Sequence, residues 1–261
     1  MNSDLHPGRE HAGAAIRCAA LSRSFGGTGL VLDRLSFQVE PGEFVALLGP
    51  SGSGKSSLLR LTAGLDNPDS GQLVVEAASG AVLRGFVFQE ATLMPWRTVL
   101  RNTTLPLELA GWARVDAESR AAEELRRMRL TEFAARYPHE LSGGMKMRAS
   151  VARALTTQPN LLLLDEPFAA LDEPTRHGLQ MQLREIWLAL GMTVLFVTHS
   201  VTEAVFLADR IIVLSHRPAR LILDHMVVLP ERRDAELRTA LEYIDQVRRI
   251  AAAMPVSGEA S

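Results

Sequence analysis

At 261 residues the chain can bury one large α/β core, alone or with an inserted lobe, so two full domains are unnecessary. A formal net charge of −2, with the basic residues spread along the sequence, provides no cationic stripe and argues against nucleic acid as a partner. The lone Cys18 excludes an internal disulfide and agrees with a reducing compartment; its expected role is that of a small buried hydrophobe.

Met1 to Ala15 mixes Asp4, His6, Arg9, Glu10 and His11 without the apolar stretch of a secretion signal. Residues 1–16 therefore read as a disordered tail, and the protein is expected to stay in the cytoplasm. No run approaches the roughly 20 apolar residues of a membrane span, since Leu161-Leu162-Leu163-Leu164 stops at Asp165. From Arg17 to Glu40, short alternations such as Leu35-Ser36-Phe37-Gln38-Val39 predict antiparallel strands ending at the Pro41-Gly42 turn.

Phe44-Val45-Ala46-Leu47-Leu48 predicts a buried strand, and Ser57 to Ala63 a helix. Between them runs Gly49-Pro50-Ser51-Gly52-Ser53-Gly54-Lys55-Ser56-Ser57, whose spacing is that of a loop wrapping a nucleotide's phosphates with backbone N–H groups. Glycines allow positive φ and close approach; Lys55 is suited to the β- and γ-phosphates and the Ser56 hydroxyl to Mg²⁺. Only Lys55 and Lys146 among the 28 basic residues are lysines, so the loop breaks the chain's preference for arginine where a slim ammonium fits best.

Asn67-Pro68-Asp69-Ser70-Gly71 interrupts the chain before strands at Leu73-Val74-Val75 and Gly85-Phe86-Val87-Phe88-Gln89. From Ala91 to about Gln158 the pattern turns helical, as in Asp116 to Arg129, and predicts an inserted lobe over about 91–158. Leu141-Ser142-Gly143-Gly144-Met145 opens the helical run Lys146 to Leu155. Alone it reads as a capped turn; between the lobe and an acidic strand it reads as a second phosphate-binding helix end.

Asn160 to Asp165 is a strand too apolar to have a solvent face, and it ends in Asp165 and Glu166 at the sheet edge where such folds bind ligands. Asp165 suits Mg²⁺ and Glu166 the polarisation of an attacking water. A helix over Pro174 to Leu190 capped by Gly191, strands at Thr193–Thr198 and Arg210–Leu214, and a peripheral helix from Arg233 to Ala253 complete the pattern. The expected fold is an α/β P-loop NTPase core with a wound, mainly parallel sheet, an antiparallel β subdomain and an inserted helical subdomain.

In this order, Gly49–Ser57, Gln89, Leu141–Met145, Leu161–Pro167, Ala169-Ala170-Leu171-Asp172 and His199 resemble the phosphate loop, Q-loop, signature, magnesium strand, D-loop and switch histidine of an ABC-transporter ATPase subunit. The likeness covers nearly the whole chain. It implies an ATPase with Mg²⁺ that works as a head-to-tail homodimer, in which Ser142, Gly143, Gly144 and Met145 of one copy close over ATP held by Gly49–Ser57 of the other. By the same resemblance Gln89 contacts Mg²⁺ or the attacking water, Asp172 packs at the dimer contact, and His199 bonds the γ-phosphate. Phe25 is expected either to stack on adenine or to pack in the core. Met145, Met147 and Ala169 depart from the family's frequent glutamine, glutamine and serine, which leaves the phosphate-facing residues in place.

Thr92 to Val99 and Ser215 to Arg220 resemble the ATPases of nitrate, sulfonate and taurine importers, which also serve thiamine-pyrimidine precursors. This implies the energising subunit of a binding-protein-dependent importer. Its partners would be integral permease subunits and, through them, a solute-binding protein; its place would be peripheral, on the cytoplasmic face of the inner membrane. Met94, Pro95 and Trp96 read as an apolar groove floor for a permease helix, or as core. A soluble single-cassette ATPase of the iron–sulfur scaffold type and an exporter or lipoprotein-release ATPase are the competing readings. The expected boundaries are a tail at 1–16, the ATPase domain at 17–230 and a C-terminal helix and tail at 231–261.

Overall fold

The computed structural model describes residues 13–26, 29–78 and 80–255. The terminal segments 1–12 and 256–261, which the tail readings covered, lie outside the described residues. Strands β1 (Ala14–Phe25), β2 (Gly29–Val39) and β4 (Ser70–Ala77) form an antiparallel sheet in the order β2-β1-β4. β1 starts three residues before the expected domain boundary at 17. Ala14 and Ile16 are fully buried there, and Ala14 donates its N–H to the Asn160 carbonyl at 3.0 Å. Thr193 Oγ1 donates to the Ala14 carbonyl at 2.6 Å and accepts the Gly42 N–H at 2.9 Å, so one hydroxyl joins this sheet to the next. Two alanines and a glycine carry little strand signal, which hid this start.

The second sheet holds β3 (Phe44–Leu48), β5 (Arg84–Val87), β6 (Leu161–Asp165), β7 (Thr193–Thr198), β8 (Arg210–Leu214) and β9 (Leu221–Met226). Their order is β5-β6-β7-β3-β8-β9, parallel except for β9, which runs antiparallel to β8. Side chains alternate between two cores because successive Cβ atoms leave opposite faces of a strand. From β3, Phe44, Ala46 and Leu48 face one core, while Val45 and Leu47 face the other. The second core is closed by α1 (Lys55–Thr62) and the antiparallel sheet, through Leu58, Leu59, Ile16 and Leu35.

The first core takes α5 (Glu173–Leu190), α6 (Val201–Leu207) and α7 (Leu241–Ala253). Leu179, Leu183 and Ile186 are the buried stripe of α5, and Gly191 ends it at φ 65. Between β5 and β6 the chain inserts α2 (Val99–Leu109), α3 (Arg114–Arg127) and α4 (Gly143–Leu155), which pack on one another as the helical lobe. The strand β9 and the helix α6 have no counterpart in the sequence reading.

The C-terminal segment differs from the single helix expected over Arg233 to Ala253. A 3₁₀ turn spans Glu236–Thr239, the chain is extended at Ala240, and α7 begins at Leu241. Arg233 precedes all of this as a buried cation. Its guanidinium donates at 2.9 Å each to the carbonyls of Val205, Phe206 and Ala208 at the end of α6, and pairs with Asp209 at 3.1 Å. Arg184 reaches the same Asp209 oxygen at 2.7 Å. Tyr243 and Ile250 are buried, so α7 is anchored to the core face and not peripheral.

Candidate functional site

The sheet order brings the predicted chemistry to one edge. β7 lies between β6 and β3, with Asp165 level with Val197 and Leu48 level with Thr198. The chain therefore leaves β3 into Gly49–Ser57, β6 into Glu166 and β7 into His199, all at the carboxyl ends of adjacent parallel strands.

The loop from Gly49 to Gly54 depends on its glycines. Gly52 and Gly54 sit at φ 77 and 103, and a Cβ on Gly54 would come within 2.8 Å of both Leu32 and Val31. Gly54 is the N-cap of α1 and contributes no side-chain cap, which leaves the first N–H groups of the helix available to an anion. Lys55 Nζ donates to the carbonyls of Gly49 at 2.9 Å and Pro50 at 2.7 Å. Burial lowers the Lys55 pKa, while Glu166 and Asp165 nearby act to hold it up. Pro50 and Ser57 are half-buried, Ser51 is exposed and Ser53 is buried.

Ser56 Oγ donates to Asp165 Oδ1 at 2.9 Å across 109 residues of sequence. Burial raises the Asp165 carboxyl above its ordinary value, Ser56 and Lys55 acting against the shift. Among the described residues no group of three or more His, Cys, Asp or Glu forms a metal cage. A hydroxyl beside one carboxylate is nonetheless a hard-oxygen pair of the kind Mg²⁺ uses when phosphates and waters fill its other positions. The donor set fits that ion.

Glu166 occupies the left-handed region at φ 44, uncommon for a side chain of its size, with its N–H donated to the Val197 carbonyl at 3.0 Å. This backbone turn aims its carboxylate at the β7 exit, where Oε2 lies 2.9 Å from His199 Nδ1. Both border a cavity of about 310 Å³ that Arg176 and Glu203 also line. Glu203 accepts the Thr198 hydroxyl at 2.7 Å, and burial raises its carboxyl pKa. Neither Arg176 nor Glu203 carries a motif signal; only the packing of α5 against α6 brings them here. Gln89 is exposed two residues beyond β5, beside the end of β6.

The second predicted surface lies at the start of α4. Ser142 is the exposed N-cap and accepts the Met145 N–H at 3.3 Å; Gly143 is exposed with open space where a Cβ would stand. Gly144 is buried, and a Cβ there would meet Thr175 Cγ2 at 2.3 Å. Met145 is half-buried. Asp172 caps α5 by accepting the Thr175 N–H at 3.2 Å. Thr175 thus sits against both the signature glycine and the helix cap.

Phe25 and Trp96 both lie outside the buried core. Phe25 is 36% exposed at the end of β1 under the Arg23 guanidinium, 4.9 Å from the ring centre, and is not a core residue. Trp96 is 73% exposed, so the segment after Gln89 presents its indole to the surface.

The family described as ABC transporter matches residues 32–169. The chain is 41% identical to the aliphatic sulfonates import ATP-binding protein of Bacillus cereus over 80% of this chain and 84% of that protein. It is 42% identical to the taurine import ATP-binding protein of Rhizobium johnstonii (86% and 88% covered) and 44% to the nitrate import ATP-binding protein of Synechocystis (78% of each). Among solved structures it resembles a dimeric bacterial ABC transporter cassette, with a TM-score of 0.73 and 30% identity over 82% of this chain and all of that one. A post-hydrolysis dimeric cassette bound to ADP and Pi aligns with a TM-score of 0.71 at 29% identity, over the same shares of both chains.

Proposed function

The chain belongs to the ABC-transporter family of ATP-binding subunits, and on that premise we propose that it is the ATPase that energises a solute importer for nitrate, a sulfonate, taurine or a related small solute. The observation that carries this reading is the convergence of Gly49–Ser57, Asp165–Glu166 and His199 on the ends of three adjacent parallel strands. Import is favoured because relatives of three importer classes match at 41 to 44% identity over more than three quarters of the chain.

In this reading Gly49, Pro50, Ser51, Gly52, Ser53, Gly54 and Ser57 wrap the phosphates of ATP while Lys55 exchanges its two carbonyl partners for β- and γ-phosphate oxygens. Ser56, Asp165 and Gln89 hold Mg²⁺, which when bound supplies charge neutralisation at the phosphates. Glu166 accepts a proton from the water that attacks the γ-phosphate, and His199, oriented by the same carboxylate, bonds that phosphate. Phe25 offers its exposed face to adenine.

Ser142, Gly143, Gly144 and Met145 act on ATP bound by a second copy, since the exposed Ser142 and Gly143 face outward from α4. Among the described residues no helix is long and apolar enough to cross a membrane. Membrane attachment therefore runs through permease subunits on the cytoplasmic face, docked at the exposed Trp96, with a solute-binding protein as the indirect partner. Nucleic acid has no part in this reading. Deleting the gene and supplying nitrate, taurine or alkanesulfonates as the sole nitrogen or sulfur source tests it. Growth on one source should fail and return with the parent gene but not with Glu166→Gln; unimpaired growth and uptake on all of them would count against this solute class.

A further inference from the structure

Arg153 stands in the second half of α4, the helix whose first turn presents Ser142 and Gly143, and its guanidinium, which also touches Ser150 Oγ of that helix at 3.4 Å, reaches beyond it. It donates to the carbonyls of Thr92 at 2.9 Å and Ala91 at 3.1 Å, and to Thr92 Oγ1 at 3.0 Å. Thr92 is held at φ 45, a region that a β-branched residue seldom enters unless its surroundings impose it. From Met94, two residues further, the fully buried Asn102 of α2 fastens the same segment. Its carbonyl accepts the Met94 N–H at 2.7 Å, and its amide donates to the carbonyls of Met94, Arg97 and Thr98 at 2.9 to 3.1 Å. Pro95 and Trp96 are exposed between these fastenings.

We propose that Arg153 is a positioning residue that ties the phosphate-facing end of α4 to the 91–98 segment, so that what happens at Ser142 and Gly143 reaches Trp96. The inference rests on reading the first turn of α4 as a nucleotide contact. A helix is stiff over the ten residues from Gly143 to Arg153, about 15 Å. Its displacement therefore moves the guanidinium. The planar fork grips three oxygens at once, and a strained Thr92 relaxes to negative φ when that grip is lost, which gives the segment two discrete arrangements. A lysine has one ammonium and cannot span the same three oxygens.

Hydrogen exchange on the full chain, with and without Mg²⁺ and ATP in a Glu166→Gln background, tests this without a permease. In the parent, ATP slows exchange at 142–145 and changes it at 91–98. In Arg153→Lys, protection at 142–145 by ATP persists, whereas 91–98 exchanges about tenfold faster and ignores ATP. In the double variant Arg153→Lys, Thr92→Gly, glycine takes positive φ without strain, so protection of 91–98 recovers but its response to ATP does not. An ATP response of 91–98 that survives Arg153→Lys, or that returns in the double variant, overturns the proposal and leaves Arg153 a structural residue. Absence of ATP protection at 142–145 in the parent overturns the nucleotide reading beneath it instead, and the two failures are told apart in one experiment.

Discussion

His199 Nδ1 lies 2.9 Å from Glu166 Oε2, although the two residues leave different strands 33 positions apart. The carboxylate assigned to the attacking water thus also sets the orientation of the imidazole. Glu166→Gln keeps a hydrogen-bonding partner for His199 but cannot take a proton, and its ATP turnover should fall by about 10²–10⁴-fold. Nucleotide binding should persist and size-exclusion chromatography should show a dimer that depends on ATP. Turnover at the parental rate removes Glu166 from the chemistry.

The two signature glycines should respond differently to the same methyl group. Gly143→Ala meets nothing within 4 Å, so folding and ATP binding should be unchanged, and any loss of turnover reports on a second copy. Gly144→Ala drives a methyl to 2.3 Å from Thr175 Cγ2 and should cost about 1–3 kcal/mol of stability by overpacking. Thermal melts beside turnover assays separate the two. Equal destabilisation by both substitutions contradicts this account.

Asp165 links function to pH. Burial raises its carboxyl pKa, so the stability it contributes is present below the ordinary carboxylate range and is lost as pH rises through its folded value. In the absence of nucleotide, Asp165→Asn should therefore melt higher than the parent near neutral pH, with the difference closing as the pH falls towards about 4. The same variant should lose Mg²⁺-dependent hydrolysis. A melting advantage that grows on acidification would falsify the assignment of burial as the cause.

Arg233 holds the C-terminal segment to α6. Burial brings its pKa down to about 9, which leaves it cationic at neutral pH. Arg233→Ala strands the carbonyls of Val205, Phe206 and Ala208 and weakens the pairing of Asp209, and should lower stability by about 3–5 kcal/mol in urea unfolding. Arg233→Lys should recover only part of this, because one ammonium cannot reach three carbonyls and a carboxylate. A loss of no more than about 0.5 kcal/mol, the usual span of a surface substitution, indicates that the clamp is dispensable.

Trp96→Ala should leave folding stability within about 0.5 kcal/mol of the parent, as expected for so exposed a side chain. ATP binding and turnover of the isolated subunit should stay unchanged while solute uptake by the assembled transporter is lost. Lost ATP binding means that the segment supports the nucleotide site and not a permease.

The phosphate loop, Asp165, Glu166 and His199 were legible because each follows a strand apolar enough to be buried on both faces, and such strands deliver whatever follows them to one sheet edge. The order of those strands was not legible, since it is fixed by long-range packing that no local pattern records. β9 carries no strand signal because Leu221, Leu223 and His225 alternate with Ile222, Asp224 and Met226, leaving no clear apolar face. Arg153, Arg184, Arg233 and Glu203 were invisible for a different reason. A charged residue reads as surface, and only the finished fold supplies the carbonyls and hydroxyls that let Arg184, Arg233 and Glu203 be buried and Arg153 half-buried.

The hydroxyl of Thr193, which bridges Ala14 and Gly42, stands at the amino end of β7, the rim of the sheet remote from His199. The start of β1 is thereby pinned at the rim opposite the proposed ATP chemistry, with Gly13 buried against the backbone of Gly42. Removing this one hydroxyl, as in Thr193→Val, would loosen the seam between the two sheets without touching any residue assigned to phosphate.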